Sequence, residues 1–212
     1  GDPVILSAEG QCNPCLAHYD DEMKQYHYLD VPFQILTPDI QSSYFLNEDD
    51  TLILDFQYNW DGMLINKSVI FYGNSYETIH NYTIDNLINN KIEVVWQGGL
   101  KPIDQDDFDW VSGNAMIGQS EETETIKITK GDRYFERQEY NGKTNWVSVR
   151  TKYFIAALLT NQNADYATMN GYLDDSTAFP SYTVGLGYYN SQQINTSVYL
   201  GPLDIDYIGP LN

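Results

Sequence analysis

The sequence is short of basic residues. Only 11 of its 212 residues are Lys or Arg, against 30 Asp or Glu, and the formal net charge is −19. Such a charge repels the phosphates of DNA and RNA, and it also opposes binding to an anionic membrane surface. We therefore exclude nucleic acid as a partner. An acidic domain that is carried across a membrane fits this composition, because excess Lys and Arg are retained on the cytoplasmic side.

Long apolar runs are missing as well. A membrane-spanning helix needs roughly 18 or more consecutive apolar residues. The run Tyr153–Leu159 has seven, and Arg150 and Lys152 precede it directly. Because the chain begins abruptly at Gly1-Asp2-Pro3, we expect its targeting signals to have been removed. We expect residues 1–212 to form one soluble domain, excised from between two transmembrane segments of a longer protein.

What the sequence has in abundance is alternation of apolar and polar residues. The stretch 51–60 places apolar side chains on alternate positions, which is the period of a half-buried strand. Asp61-Gly62 then indicates a hairpin turn before the next strand. Many such strands between polar turns predict an all-β sandwich of antiparallel sheets. The polar segments 101–122 and 161–181 are expected to be loops, the first with a short strand inside it.

The pair Cys12 and Cys15 forms the motif Cys-Asn-Pro-Cys. A redox motif of this spacing opens a helix in a βαβ unit, and that context is missing here. A zinc site would need two more ligands, for which His18 and His27 are the nearest candidates. A structural disulfide or an unreactive pair is favoured.

No reactive constellation stands out among the remaining residues. The three histidines have no nucleophile at motif spacing, and His80 is predicted to lie on a sheet surface. Carboxylate pairs are common in so acidic a chain and indicate no acid–base site. Gly185 and Gly187 lie in a predicted strand and indicate a bulge or a close backbone approach. We predict no enzyme activity, no cofactor and no metal.

Three blocks of sequence carry a family resemblance. They are residues 58–84 followed by Trp96–Leu100, residues 142–160, and residues 197–208. In this order they resemble the large periplasmic domain of the YidC family of bacterial membrane protein insertases. The matching positions, mainly structural and open to partner contact, are Gly62, Trp96, Gly98, Gly99, Leu100, Trp146, Val147, Tyr153, Phe154, Gly201 and Pro202.

The resemblance implies a fold and a role. The fold is a β-supersandwich like that of galactose mutarotases, with one or two short helices. The location is the periplasmic face of the bacterial inner membrane, in a protein that is itself membrane-embedded. The role is non-catalytic: the domain would contact Sec translocon components or nascent membrane proteins. A carbohydrate-binding module on the same fold is the alternative, because aromatic-rich surfaces also bind sugars.

The block around Trp146 leaves two conformations open. We predict a short helical turn over residues 146–152, followed by a buried strand, with a helix throughout as the alternative. Trp146 is expected to anchor the core, because large aromatic side chains dominate core burial.

Overall fold

The computed structural model describes residues 12–20, 22–60, 62–87, 91–101, 113–119, 122–129, 131–175 and 179–209. The first seven strands are β1 (Cys15–Asp20), β2 (Gln25–Tyr28), β3 (Gln34–Ile35), β4 (Thr51–Trp60), β5 (Met63–Tyr72), β6 (Glu77–Asp85) and β7 (Lys91–Trp96). The remaining elements are β8 (Asn114–Gln119), β9 (Glu122–Ile126), β10 (Tyr134–Arg150), β11 (Phe154–Leu173), β12 (Pro180–Tyr189), β13 (Gln193–Pro202) and helix α1 (Ile205–Ile208).

All of these strands belong to a single antiparallel sheet. Its order is β2-β1-β7-β12-β11-β13-β6-β5-β4-β3, and β10, β8 and β9 extend it from the other side of β11. The first part of β11 pairs with β13, and the second part pairs with β12. The prediction of an all-β fold of antiparallel sheets is therefore confirmed.

The core lies on the inner face of this curled sheet. Strands from both ends of the sheet order contribute to one buried cluster, which includes Leu16, Val94 and Leu186 from one end and Ile65, Ile84 and Ile194 from the other. Between them, β10 and β11 add Val147, Val149, Ala156, Leu158 and Met169. Because successive side chains of a strand point to opposite faces of the sheet, every second residue lies on the outer face, where binding sites can form.

The predicted hairpin at residues 51–72 is present. Thr51–Trp60 pairs with Met63–Tyr72 in continuous register. Gly62 has a φ of +88°, a conformation that glycine adopts without the steric penalty of a Cβ atom. The turn sequence Asp61-Gly62 therefore predicted this hairpin correctly.

Two secondary-structure predictions are wrong. Residues 161–173, expected in a loop, continue strand β11, because residues 166–173 pair with β12 and the stretch 166–169 is buried. Residues 146–150, expected to form a helical turn, are the end of strand β10. In segment 101–122 the expected short strand is β8, and residues 102–112 lie outside the described residues. Among the described segments, no helix is long and apolar enough to cross a membrane.

His80 is buried, so its predicted position on a sheet surface is also wrong. It lies on the inner face of β6, where its neighbours Tyr82 and Ile84 are buried too. Its Nε2 atom is 2.9 Å from the Thr78 hydroxyl. The alternation of β6 fits either face, and the polarity of histidine pointed to the wrong one.

Cys12 and Cys15 are joined by a disulfide at the start of β1. Cys15 is fully buried with Ala17 and Val95 in a small cluster on the opposite side of the sheet from the main core. Since both sulfurs are bonded to each other, neither is a thiolate ligand for a metal.

Candidate functional site: an apolar groove beside Trp146

A groove of about 520 Å³ crosses the outer face of the sheet where β8, β9, β10 and β11 lie side by side. The segment that follows β13 closes one side of it. Its lining consists of Asn114, Met116, Thr125, Trp146, Ser148, Arg150, Ile155, Ala157, Leu159, Leu203 and Ile208. Most of these side chains are apolar, so the groove is suited to an apolar ligand with a few polar contacts.

Strand alternation explains how one segment builds both the core and the groove. On β10, Val147 and Val149 point into the core, whereas Trp146 and Ser148 point into the groove. On β11 the same alternation separates Ala156 and Leu158 from Ile155, Ala157 and Leu159. Residues 154–159 of the apolar run are therefore strand, and they divide between the core and the groove, which is why both faces are apolar.

Trp146 lies on the groove side and is half-buried, so its interpretation as a core anchor is wrong. It pairs with Gly118 of β8 on one side and with Leu159 of β11 on the other. A Cβ atom at Gly118 would collide with the indole ring, so the ring occupies the space that a side chain at this position of β8 would fill. Trp146 thus forms part of the groove wall.

Polar groups lie at two points of the groove. The Arg150 Nε atom donates to the Asn114 side-chain oxygen at 3.1 Å. The buried Ser148 hydroxyl has no hydrogen-bond partner among the described residues. A buried hydroxyl without a partner costs free energy, and a bound polypeptide backbone could satisfy it. The described lining holds Arg150 as its ionisable group and has no acid–base pair.

The family-motif positions are spread over several parts of the fold. Trp146 lines the groove, and Phe154 packs against the core from the neighbouring strand. Phe154 pairs with Pro202, Gly201 pairs with Ile155, and the Tyr153 carbonyl accepts from the Leu203 amide. Gly62 lies at the β4–β5 turn. Trp96 to Leu100 form a tight turn after β7, in which the indole of Trp96 donates to the Gly99 carbonyl at 2.9 Å. Val147 is in the core.

A second feature, a buried ionic cluster around Glu93, lies on the outer face at the other end of β11. The Glu93 side chain is only 1% exposed and accepts from Arg137 at 2.7 Å, from Tyr26 at 2.8 Å, from Thr168 at 3.0 Å and from Tyr166 at 3.3 Å. These residues come from β2, β7, β10 and β11. The cluster therefore ties four strands together.

Burial sets the protonation states in this cluster. Burial and the Glu93 carboxylate raise the pKa of Tyr26 and Tyr166, and they raise the pKa of Tyr28 to about 12. Burial alone would lower the pKa of Arg137, but Glu93 and Tyr26 hold it above its ordinary value. The Tyr26 and Tyr166 hydroxyls therefore stay neutral at neutral pH and donate to Glu93.

Gly185 and Gly187 of β12 make room for this cluster. A Cβ atom at Gly185 would lie 2.7 Å from the Thr168 hydroxyl, and one at Gly187 would overlap the Tyr166 ring. The predicted close approach is confirmed, but its cause was missed. The available signal was Glu93 itself, a lone charge inside the apolar run Ile92–Trp96.

A curled antiparallel sheet with an apolar groove on its outer face defines an all-β domain suited to apolar ligands. The family model described as the YidC periplasmic domain matches residues 36–211. The chain therefore belongs to the YidC periplasmic domain family.

Relatives with a curated name support the same family. The membrane protein insertase YidC of Chloroherpeton thalassium is 28% identical over 184 residues, which cover 79% of this chain and 31% of that protein. The membrane protein insertase YidC of Chlorobaculum tepidum is 27% identical over 180 residues, covering 80% of this chain and 28% of that protein. The chain thus spans about a third of the length of these relatives.

Among solved structures, a galactose mutarotase related enzyme from Lactobacillus acidophilus is similar over 93% of this chain and 80% of its own, with 10% identity and a TM-score of 0.43.

Proposed function

We propose that this chain is a non-catalytic periplasmic domain of a membrane protein insertase, and that its groove binds extended apolar segments of nascent membrane proteins. The groove beside Trp146 is the observation that carries the proposal. Its walls supply apolar area, and Ser148 and Asn114 supply polar groups within reach of a peptide backbone. In the intact protein the domain would lie at the periplasmic face of the inner membrane, next to its membrane-embedded part.

Nascent membrane proteins must be released quickly after they bind, so we expect dissociation constants on the order of micromolar or weaker. Periplasmic domains of the Sec translocon are a second class of partner for the same protein. If these domains bind in the same groove, they should displace the apolar peptide, so they are added to the binding assay as competitors.

Binding is tested by fluorescence anisotropy with a labelled peptide of alternating Leu and Ser. Ile155→Lys places a charge in the groove and should weaken binding about tenfold or more, because the charge must lose water when the peptide is bound. Tyr172→Lys is the matched control, since Tyr172 is exposed on the same strand outside the groove. Equal effects of the two variants would contradict the proposal. Saturable binding of chitotriose that displaces the peptide would favour a carbohydrate-binding module instead.

Trp146→Ala separates contact from packing. The half-buried indole removes only part of its apolar area from water. We therefore expect the variant to lose about 1–2 kcal/mol of unfolding free energy. A fully buried Trp would cost about 3–5 kcal/mol. The loss of peptide-binding free energy should be larger than the loss of unfolding free energy. Urea denaturation and the anisotropy assay measure the two effects, and unchanged peptide affinity would remove Trp146 from the binding surface.

A further inference from the structure

Large apolar side chains are exposed around the start of β4. Phe45 is 94% exposed, Ile53 48%, Ile40 46% and Leu36 45%. Single exposed apolar residues are common on protein surfaces, whereas several large exposed apolar side chains within one short segment are typical of a surface that contacts another molecule.

Hydrogen bonds anchor both ends of the segment that carries Ile40 and Phe45 to the start of β4. The Leu36 amide donates to the Asp55 carbonyl at 2.8 Å, and the Asp55 amide donates to the Thr37 hydroxyl at 2.7 Å. At the other end of the loop that follows Thr37, the Asn47 amide donates to the Asp50 carboxylate at 2.7 Å. The loop 38–46 therefore begins and ends against Asp50–Asp55, about 17 Å of strand. We refer to Leu36, Ile40, Phe45 and Ile53 as the β4 apolar surface.

The segment that carries this surface supplies charges of one sign. Residues 29–66 contain no Lys, Arg or His. The same stretch contains the acidic residues Asp30, Asp39, Glu48, Asp49, Asp50, Asp55 and Asp61. Asp39, Glu48, Asp49 and Asp55 are exposed beside the apolar side chains. A ligand of this surface must combine apolar groups with positive charge.

We propose that the β4 apolar surface binds a basic amphipathic segment of a partner protein. A second copy of this chain would bring the same carboxylates against these, so like charges oppose self-association. An anionic lipid surface is repelled for the same reason. The surface is separate from the groove, because β13, β6 and β5 lie between β11 and β4 in the sheet. The proposal does not depend on the function of the groove.

The test uses the 212-residue chain and a labelled 14-residue peptide in which Leu and Lys form an amphipathic pattern. Two peptides of the same length serve as probe controls: one with Glu in place of Lys, and one with Ser in place of Leu. The apolar variant is Leu36→Ser with Phe45→Ser, and its control is Met23→Ser with Tyr134→Ser, both exposed elsewhere. The charge variant is Asp39→Asn, Glu48→Gln and Asp49→Asn. Its control removes equal charge at Glu122, Glu124 and Glu136, which are exposed on β9 and β10.

We expect the Leu/Lys peptide to bind the parent, with the apolar variant weakened about tenfold or more. The charge variant should bind more weakly and respond less to added salt than its control, because screened charge pairs are lost. Unchanged melting temperatures would show that these surface substitutions leave the fold intact. Ile155→Lys in the groove should leave this binding unchanged.

Three results would overturn the proposal. The first is an equal loss of binding in the charge variant and its control, which would show a general effect of the acidic chain. The second is equal binding of the Leu/Glu peptide. The third is a dimer of the parent that Leu36→Ser with Phe45→Ser converts to a monomer, which would make a second copy the occupant.

Discussion

Lys67, His80 and Glu93 are ionisable side chains inside the sheet, and each meets the cost of burial differently. Lys67 lies with its amino group 5.4 Å from the centre of the Tyr82 ring, and burial lowers its pKa to about 8. His80 is held neutral. Glu93 stays paired with Arg137. A buried charge is tolerated when it is paired, and otherwise the neutral form is favoured.

His80 should make the protein less stable in mild acid. Burial, together with the Lys67 charge, lowers its pKa from 6.5 to about 3. The unfolded chain therefore binds a proton that the folded chain does not, so stability falls as the pH drops below about 6.5 and continues to fall towards about pH 3. At about pH 5 the loss is about 2 kcal/mol.

The measurement is urea denaturation at about pH 7 and about pH 5. His80→Gln should reduce the loss of unfolding free energy between the two values, since Gln does not titrate. His27→Gln is the control, because the His27 side chain is 42% exposed. If the parent and His80→Gln lose the same unfolding free energy between the two pH values, proton uptake by His80 on unfolding is not the cause of the loss.

At the scale of elements, β10 and β11 organise the sheet. They are the longest strands, with 17 and 20 residues, and register shifts between Phe135 and Trp146 bend the pair. One half of the hairpin carries the groove and the other carries the cluster around Glu93. A shared pair of strands therefore places two distinct sites at opposite ends of one continuous element.

The ionic cluster should behave as a coupled unit. Arg137→Met leaves the buried Glu93 carboxylate without its ion-pair partner and should cost about 3–5 kcal/mol. Glu93→Met leaves the Arg137 guanidinium with its longer contact to the Glu139 carboxylate at 3.6 Å, so it should cost less. The double variant should cost much less than the sum, because no unpaired charge remains.

A double-mutant cycle by urea denaturation measures this coupling. Arg133 and Asp175 provide the control pair, since their side chains are 69% and 78% exposed and such pairs contribute little. Additive effects at Glu93 and Arg137 would show that the two residues stabilise the protein independently.

At the scale of the whole molecule, the net charge of −19 works against the compact state. Like charges spread over the surface repel one another, and salt screens this repulsion over about 10 Å at 0.1 M. The fold is therefore stabilised by its buried core against its own surface charge.

Added salt should raise the melting temperature. We expect the increase to occur mainly between about 10 mM and about 150 mM NaCl, where the screening length becomes shorter than typical distances between surface charges. Replacing Glu122, Glu124 and Glu136 by Gln should make the melting temperature less sensitive to salt. A melting temperature that falls with added salt would show that favourable ion pairs outweigh the repulsion.

The candidate sites could be predicted only in part from the sequence. Trp146, Tyr153 and Phe154 were selected from the sequence as a distinctive block, but the face on which Trp146 lies was predicted wrongly. Both faces of that segment are apolar, so alternation alone does not say which face meets the core. Glu93 and Arg137 are 44 residues apart, and no local pattern links them.

The sequence by itself determined the strand-rich fold, the hairpin at Gly62 and the family. These depend on local properties, namely a period of two residues, turn chemistry and ordered motifs. Only the tertiary structure decided that residues 161–173 form a strand, that His80 is buried and that Trp146 borders a groove. Each of these depends on which distant strand covers the segment, because pairing with β12 and β13 supplies the hydrogen bonds and the burial that the segment's own residues do not specify.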